Sequence, residues 1–131
     1  MRKTTFISII CAIVMGNNII IASALNVDLW SLPQFPASSI VWKDRPMQIN
    51  GINAQATHLR ANTAPEEVIT FYQKFLLGQG WKVKDFFQEQ NIIAFVKNNR
   101  FVYVMIQDNG SDVPRDIYLI SSPGDLAICR M

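Results

Sequence analysis

One histidine, one cysteine near the end and a scatter of carboxylates are the residues through which this 131-residue chain could do chemistry. His58, the single histidine, sits in the run Ala56-Thr57-His58-Leu59-Arg60-Ala61-Asn62. A transition-metal centre needs several His, Cys, Asp or Glu side chains at ligand spacing, and this run supplies neither a carboxylate nor a thiol beside the imidazole. Catalysis through His58 would pair it with Cys129 or a serine, yet no Gly-x-Ser-x-Gly or similar nucleophile setting occurs. The sequence therefore points to no catalytic residue, no metal ligand and no cofactor, and His58 reads as a surface or packing residue. Cys129 lies beside apolar Leu126-Ala127-Ile128 and reads as packed rather than reactive.

The carboxylates have plainer explanations than catalysis. Glu66 and Glu67 open a predicted helix, where the positive end of its dipole favours them. Asp108, Asp112 and Asp116 recur every four residues around a Gly- and Pro-containing loop. A helix-loop-helix calcium site instead places oxygen ligands at alternate positions and ends in a bidentate Glu, so the three read as solvated turn residues. Asn109-Gly110-Ser111 matches the glycosylation acceptor pattern, and an Asn-Gly turn accounts for it equally. Lys97 and Arg100 flank a turn on opposed strands, which implies solvent exposure or a small anion site.

The amino terminus places Arg2 and Lys3 before an apolar run and ends in Ala22-Ser23-Ala24. This is the n-, h- and c-region pattern of a secretory signal peptide over residues 1–24, cut after Ala24; an uncleaved anchor or a buried helix are the other readings. Gly16, Asn17 and Asn18 interrupt the run, whereas a bilayer span wants about 20 mostly apolar residues. Ile9 and Ile10 stand where a lipid anchor on Cys11 would want small residues. Cleavage takes Arg2 and Lys3 and leaves ten basic against ten acidic side chains. A neutral exported domain lacks the basic surplus that holds a polyanion, so nucleic acid is not expected as a partner.

Residues 25–37 form a lead-in in which Pro33 and Pro36 flank Phe35, favouring extended geometry that lays Trp30 and Phe35 on the domain. Residues 38–131 read as a single domain. Asn50-Gly51 predicts a hairpin with strands over 38–49 and 52–60, because both central residues of a type I′ turn need positive φ. Pro46 marks the first strand as an edge or a bulged one. Thr63 and Glu66 have capping-box spacing, and Val68, Ile69, Tyr72, Phe75 and Leu76 form one helical face. Gly78 or Gly80 ends the helix in a left-handed cap, so that Trp81 reverses onto the helix and begins a half-exposed strand. Phe71, Tyr72, Phe75, Trp81, Phe86 and Phe87 then read as mutual packing rather than a ligand groove. Two strands around Asn98-Asn99 and one over Asp116–Ser122 complete the set.

The fold class is α+β: a two-layer sandwich in which an antiparallel sheet of about six strands, order ββαββββ, carries one main helix on one face. Pairing across Asn98-Asn99 sets Val96 opposite Phe101, Ala94 opposite Tyr103 and Ile92 opposite Met105. Phe95 with Val102 and Ile93 with Val104 fall on the other face. Both faces are apolar, whereas an open antiparallel sheet normally shows one polar face. The second face should be covered by the Trp30/Phe35 lead-in, by the C-terminal Leu126–Met131, or by another molecule.

The stretches Leu32–Ser39 (LPQFPASS), Thr63–Tyr72 (TAPEEVITFY) and Gly78–Val83 (GQGWKV) resemble small exported bacterial domains of unknown function. That resemblance implies the fold, export and an envelope-associated accessory role, and it carries over no catalytic residue. The expected function is a non-enzymatic periplasmic or secreted binding module, meeting a protein, a second copy or an apolar ligand through the second sheet face. Phe101, Tyr103 and Met105 would carry the contact, with Trp42 beside them, since aromatic and Met side chains dominate interface cores. The alternatives are a small secreted hydrolase, which would need two carboxylates converging in a cleft, and a structural subunit of a secretion or envelope complex.

Overall fold

A computed structural model describes residues 32–110 and 113–128. The signal-peptide reading, Trp30, Asp112 and Cys129 fall outside these residues. The described chain runs β1 (Ser38–Ile49), β2 (Ile52–Ala61), an α-helix (Pro65–Gly78), β3 (Lys82–Phe87), a 3-10 turn (Gln88–Gln90), β4 (Ile92–Lys97), β5 (Arg100–Gln107) and β6 (Arg115–Ser122). All pairings are antiparallel and the strands lie in the order β1-β2-β6-β5-β4-β3, so the expected ββαββββ sandwich is observed. No described helix is long and apolar enough to cross a membrane.

The turns form for the local reasons the residues supply. Asn50 and Gly51 both take positive φ, as do Asn98 and Asn99, which is the backbone a two-residue hairpin demands. The register across the second turn is the expected one, with Val96 on Phe101, Ala94 on Tyr103 and Ile92 on Met105. β1 is an edge strand with register shifts between Ile40 and Arg45, and Asp44 there is left-handed. Together with Pro46 this interrupts a long edge that would otherwise template further pairing.

The helix begins differently from expectation. Ala64, not Thr63, is its N-cap residue and makes no side-chain cap bond. The Thr63 carbonyl instead accepts a hydrogen bond from Arg115 Nη1 at 3.1 Å, which ties the helix entrance to β6. The C-terminus follows the expected logic. Gly80 is left-handed, Gly80 N–H donates to the Leu77 carbonyl and Trp81 N–H to the Leu76 carbonyl. This is the paired bonding of a Schellman motif, and it sends Trp81 back against the helix-side core. Lys97 Nζ donates to the Gln79 carbonyl at 2.6 Å, so the lysine serves the negative end of the helix rather than an anion site.

Two apolar cores result. Val68, Ile69, Tyr72 and Leu76 pack on Leu59, Ile93, Phe95, Val104, Ile106, Ile117 and Leu119, with Phe35 of the lead-in joining them. On the other face Met47, Ile49, Ala54, Ala56, Ile92, Ala94, Tyr103, Met105, Tyr118 and Ile120 are covered by Leu126 and Ile128. The lead-in therefore covers the helix face, and the tail covers the second one. Of the aromatic set, Phe71, Phe75 and Trp81 join Tyr72 in the helix-side core and Phe87 packs on the second face, but Phe86 is 48% exposed on the β3 edge.

Phe95 is wholly enclosed between helix and sheet. Phe95→Ala should cost about 3–5 kcal/mol in urea unfolding through lost transfer energy and a cavity, whereas Phe86→Ala should stay within about 0.5 kcal/mol of the parent.

Candidate functional site

The helix packs most closely against β3 and β5, and the lead-in fills in over the β1–β2–β6 end of the same face. Between the lead-in and that end lies a cleft of about 200 Å³. Its floor is Leu59 and Thr57 from β2 with Leu119 from β6, and Thr57 and Leu119 face each other in register. Gln55 extends the floor, Ile40, Lys43 and Asp44 form the β1 wall, and Leu32, Pro33 and Gln34 form the roof.

Each wall is held by an identifiable bond. Tyr72 Oη donates to the Pro33 carbonyl at 2.7 Å, and burial pushes this phenol well above its ordinary pKa, so it remains a donor. Phe35 wedges edge-on against Phe71 with ring centroids 5.3 Å apart. Gln34 Nε2 donates to the Ser38 carbonyl at 2.7 Å, turning the roof into β1. At the β1 irregularity the Asp44 amide donates to Thr57 Oγ1 at 3.0 Å, which fixes the left-handed Asp44. The cleft thus has a mixed floor in which Leu59 and Leu119 lie beside Thr57 and Gln55, a partly exposed apolar lip at Ile40, and Lys43 and Asp44 at its rim. It is suited to enclosing a small apolar or amphipathic group. Nothing in it resembles a nucleophile and its base.

Directly behind this floor, on the second face, the β2–β6 pairing assembles a polar cluster. Tyr118 lies opposite His58 and Asp116 opposite Arg60. His58 Nε2 donates to Asp116 Oδ1 at 2.9 Å, Arg60 Nε to the same oxygen at 2.9 Å, and Asn109 Nδ2 to Oδ2 at 3.1 Å. The imidazole stacks on Tyr118 at 4.4 Å and meets the edge of Trp42 at 5.5 Å, with the Arg45 guanidinium 4.4 Å from the Trp42 ring centre. Burial acts against ionising Asp116, but hydrogen bonds from His58, Arg60 and Asn109 outweigh it and bring its pKa down to about 2. His58 is a buried packing residue, as expected, but one with a carboxylate partner.

Asp116 is accordingly not a solvated turn residue. Asp108 is not one either, since its Oδ1 accepts from Arg115 Nε at 3.1 Å. Asn109 spends its amide on Asp116 and on the Pro114 carbonyl, which is a structural use of the acceptor motif.

The four residues expected to carry binding do share the second face. Tyr103 and Met105 are interior, and Phe101 and Trp42 are half-buried against the same core. The face is not an open docking surface, because Leu126 and Ile128 fill it. Neither the cleft residues nor the His58–Asp116 contact appears among the expected sites. Among the described residues, no three His, Cys, Asp or Glu side chains converge as metal ligands would.

A family model described as START domain-like matches residues 43–116, more than half of the chain. No curated protein and no solved structure matches. The matched span includes the cleft floor residues of β2, the helix and the meander through β5, and ends at Asp116.

Because the Asp116 pKa is lowered on folding, the carboxylate contributes stability above the ordinary value of 3.8 and loses it as pH falls towards 2. Unfolding free energy should drop by about 2 kcal/mol over that interval on account of this group. Asp116→Asn should lower stability at pH 7 and flatten the acid limb, as read by urea midpoints from pH 7 to pH 2.

Proposed function

The chain belongs to the START domain-like family, and from that premise we propose that it is a binding module for a small apolar or amphipathic ligand, held in the cleft between lead-in and sheet. The family suggests an apolar ligand-binding fold. The observation that carries the reading is the incomplete closure of the helix face: Leu59 and Leu119 floor an opening of about 200 Å³ roofed by an irregular segment. Ligand pockets typically span about 300–1,000 Å³, so the cleft suits a ring or a short chain better than a bulky lipid. Lys43 and Asp44 at the rim meet the polar end of an amphiphile, and Ile40 guides its apolar end inward.

Binding is favoured over hydrolysis by the state of the acids. Asp85, Asp108, Asp116 and Asp125 each hold a cationic partner outside the cleft, and Asp44 is the one carboxylate among the residues that line it. The leader pattern of residues 1–24 supports an exported location for the module.

Titration of the full chain with 1-anilinonaphthalene-8-sulfonate should give a saturable rise in fluorescence. Ile40→Gln, at a lip that is 45% exposed and outside the core, should weaken binding about fivefold, the loss of about 1 kcal/mol of apolar contact. Phe86→Gln, which removes an equally exposed apolar side chain elsewhere, should leave it unchanged. Equal loss in both variants, or in neither, would remove the cleft as the site.

A further inference from the structure

The second face carries an independent observation. Residues 123–128 cross it as a strap without strand pairing. Leu126 is wholly buried and Ile128 nearly so, seated over a floor that Ala54, Ala56 and Ala94 keep low. Side chains hold the strap. Asn50 Nδ2 donates to the Leu126 carbonyl, the Leu126 amide donates to Tyr103 Oη at 2.9 Å, Tyr103 Oη donates to Asp125 Oδ1 at 3.1 Å, and Lys84 Nζ lies 3.3 Å from Asp125 Oδ2.

These contacts read the strap as a peptide is read. One aliphatic side chain is seated, its N–H and C=O are each bonded, and the acid before it meets a lysine. Asn50 belongs to the β1–β2 turn and Lys84 to β3, so two consecutive strap residues are held by side chains from the two ends of the strand order. Nothing in this recognition requires strap and face to belong to the same chain. The link back to β6 is Pro123-Gly124, folded tightly by Ser122 Oγ, which accepts from the Gly124 amide. Ala127 takes φ +55°, a left-handed backbone that disfavours a side-chain-bearing residue and makes lifting the strap easier without favouring either docked form. Short hinges beside a complementary face are the setting in which copies exchange segments.

We propose that the second face is an exchange site for a second copy of this chain, in which residues 123–128 of each copy dock on the face of the other and reproduce the Asp125–Lys84 and Leu126 contacts. The occupant is the one segment with demonstrated complementarity, and every copy carries both halves of the contact.

Charge reversal tests this in full-length chains. In Lys84→Glu and in Asp125→Lys the strap and face of one copy repel, but a mixed pair restores opposite charges at both exchanged contacts. Both side chains are partly exposed, so the variants should fold, which circular dichroism checks. Native mass spectrometry of the concentrated mixture should show heterodimer about fivefold above either homodimer, the scale set by exposed ion pairs. A mixture that stays monomeric, or homodimers as abundant as heterodimer, would overturn the proposal. Should a variant not fold, light and heavy isotope-labelled wild-type chains serve instead. Light–heavy Asp125–Lys84 cross-links formed by a zero-length carbodiimide reagent support exchange; monomers at every concentration, or dimers whose Asp125–Lys84 cross-links join only light to light and heavy to heavy, overturn it.

Discussion

A sheet that is apolar on both faces must be covered twice, and one helix of 14 residues covers part of one face. That mismatch governs the rest of the architecture. Exposed, the second face would put Met105, Tyr103, Ile92 and Ile120 in water, each at a cost of about 1.5–3 kcal/mol relative to burial. The chain meets the demand with two irregular segments at its ends. Leu32–Phe35 completes the helix face, and Asp125–Ile128 completes the other.

Covering a sheet with irregular chain has consequences that covering it with a helix would not. A helix satisfies its own backbone, whereas an extended segment needs partners from outside. Tyr72 supplies one to the roof at Pro33, and Tyr103 and Asn50 supply them to the tail at Leu126. The two tyrosines thus perform the same task on opposite faces: a buried ring that fills the core and a hydroxyl that pins a strap. A roof held at a few points over a flat floor does not pack as tightly as interdigitating ridges, and the cleft above Leu59 and Leu119 is the space left over.

What was legible in the residues was local. Asn-Gly and Asn-Asn turns, the two-residue parity of β4 and β5, and the glycine that ends the helix depend on neighbours within a few positions, and each is where its chemistry places it. Thr63 and Glu66 have the spacing of a capping box, but the bond that fixes the helix entrance comes from Arg115, 52 residues away. His58 and Asp116 are 58 residues apart, and only the β2–β6 pairing makes them neighbours. Nothing near either residue announces that pairing, which closes the meander back onto the first hairpin. The composition of the lead-in suits Phe35 to covering apolar surface, but Phe35 packs on the helix face rather than the second one because the lead-in runs over Phe71, a matter of tertiary packing. The cleft was invisible for the same reason: its residues come from three strands and a lead-in.

The β2–β6 seam is where these long-range choices converge. It joins the hairpin to the meander, so its side chains face the cleft on one side and the His58–Asp116 cluster on the other. A seam between two locally connected units is the natural place for polar cross-strand bonds, because they specify register where apolar side chains of similar size would tolerate slippage. His58 with Asp116, and Arg60 opposite Asp116, reward a single alignment: a slip by one residue would turn Asp116 to the helix face and leave a buried carboxylate without its donors. By holding that register, the cluster keeps Thr57 opposite Leu119 and the floor of the cleft intact. Through its bond to Asp116, His58 positions the surface on which a ligand would rest.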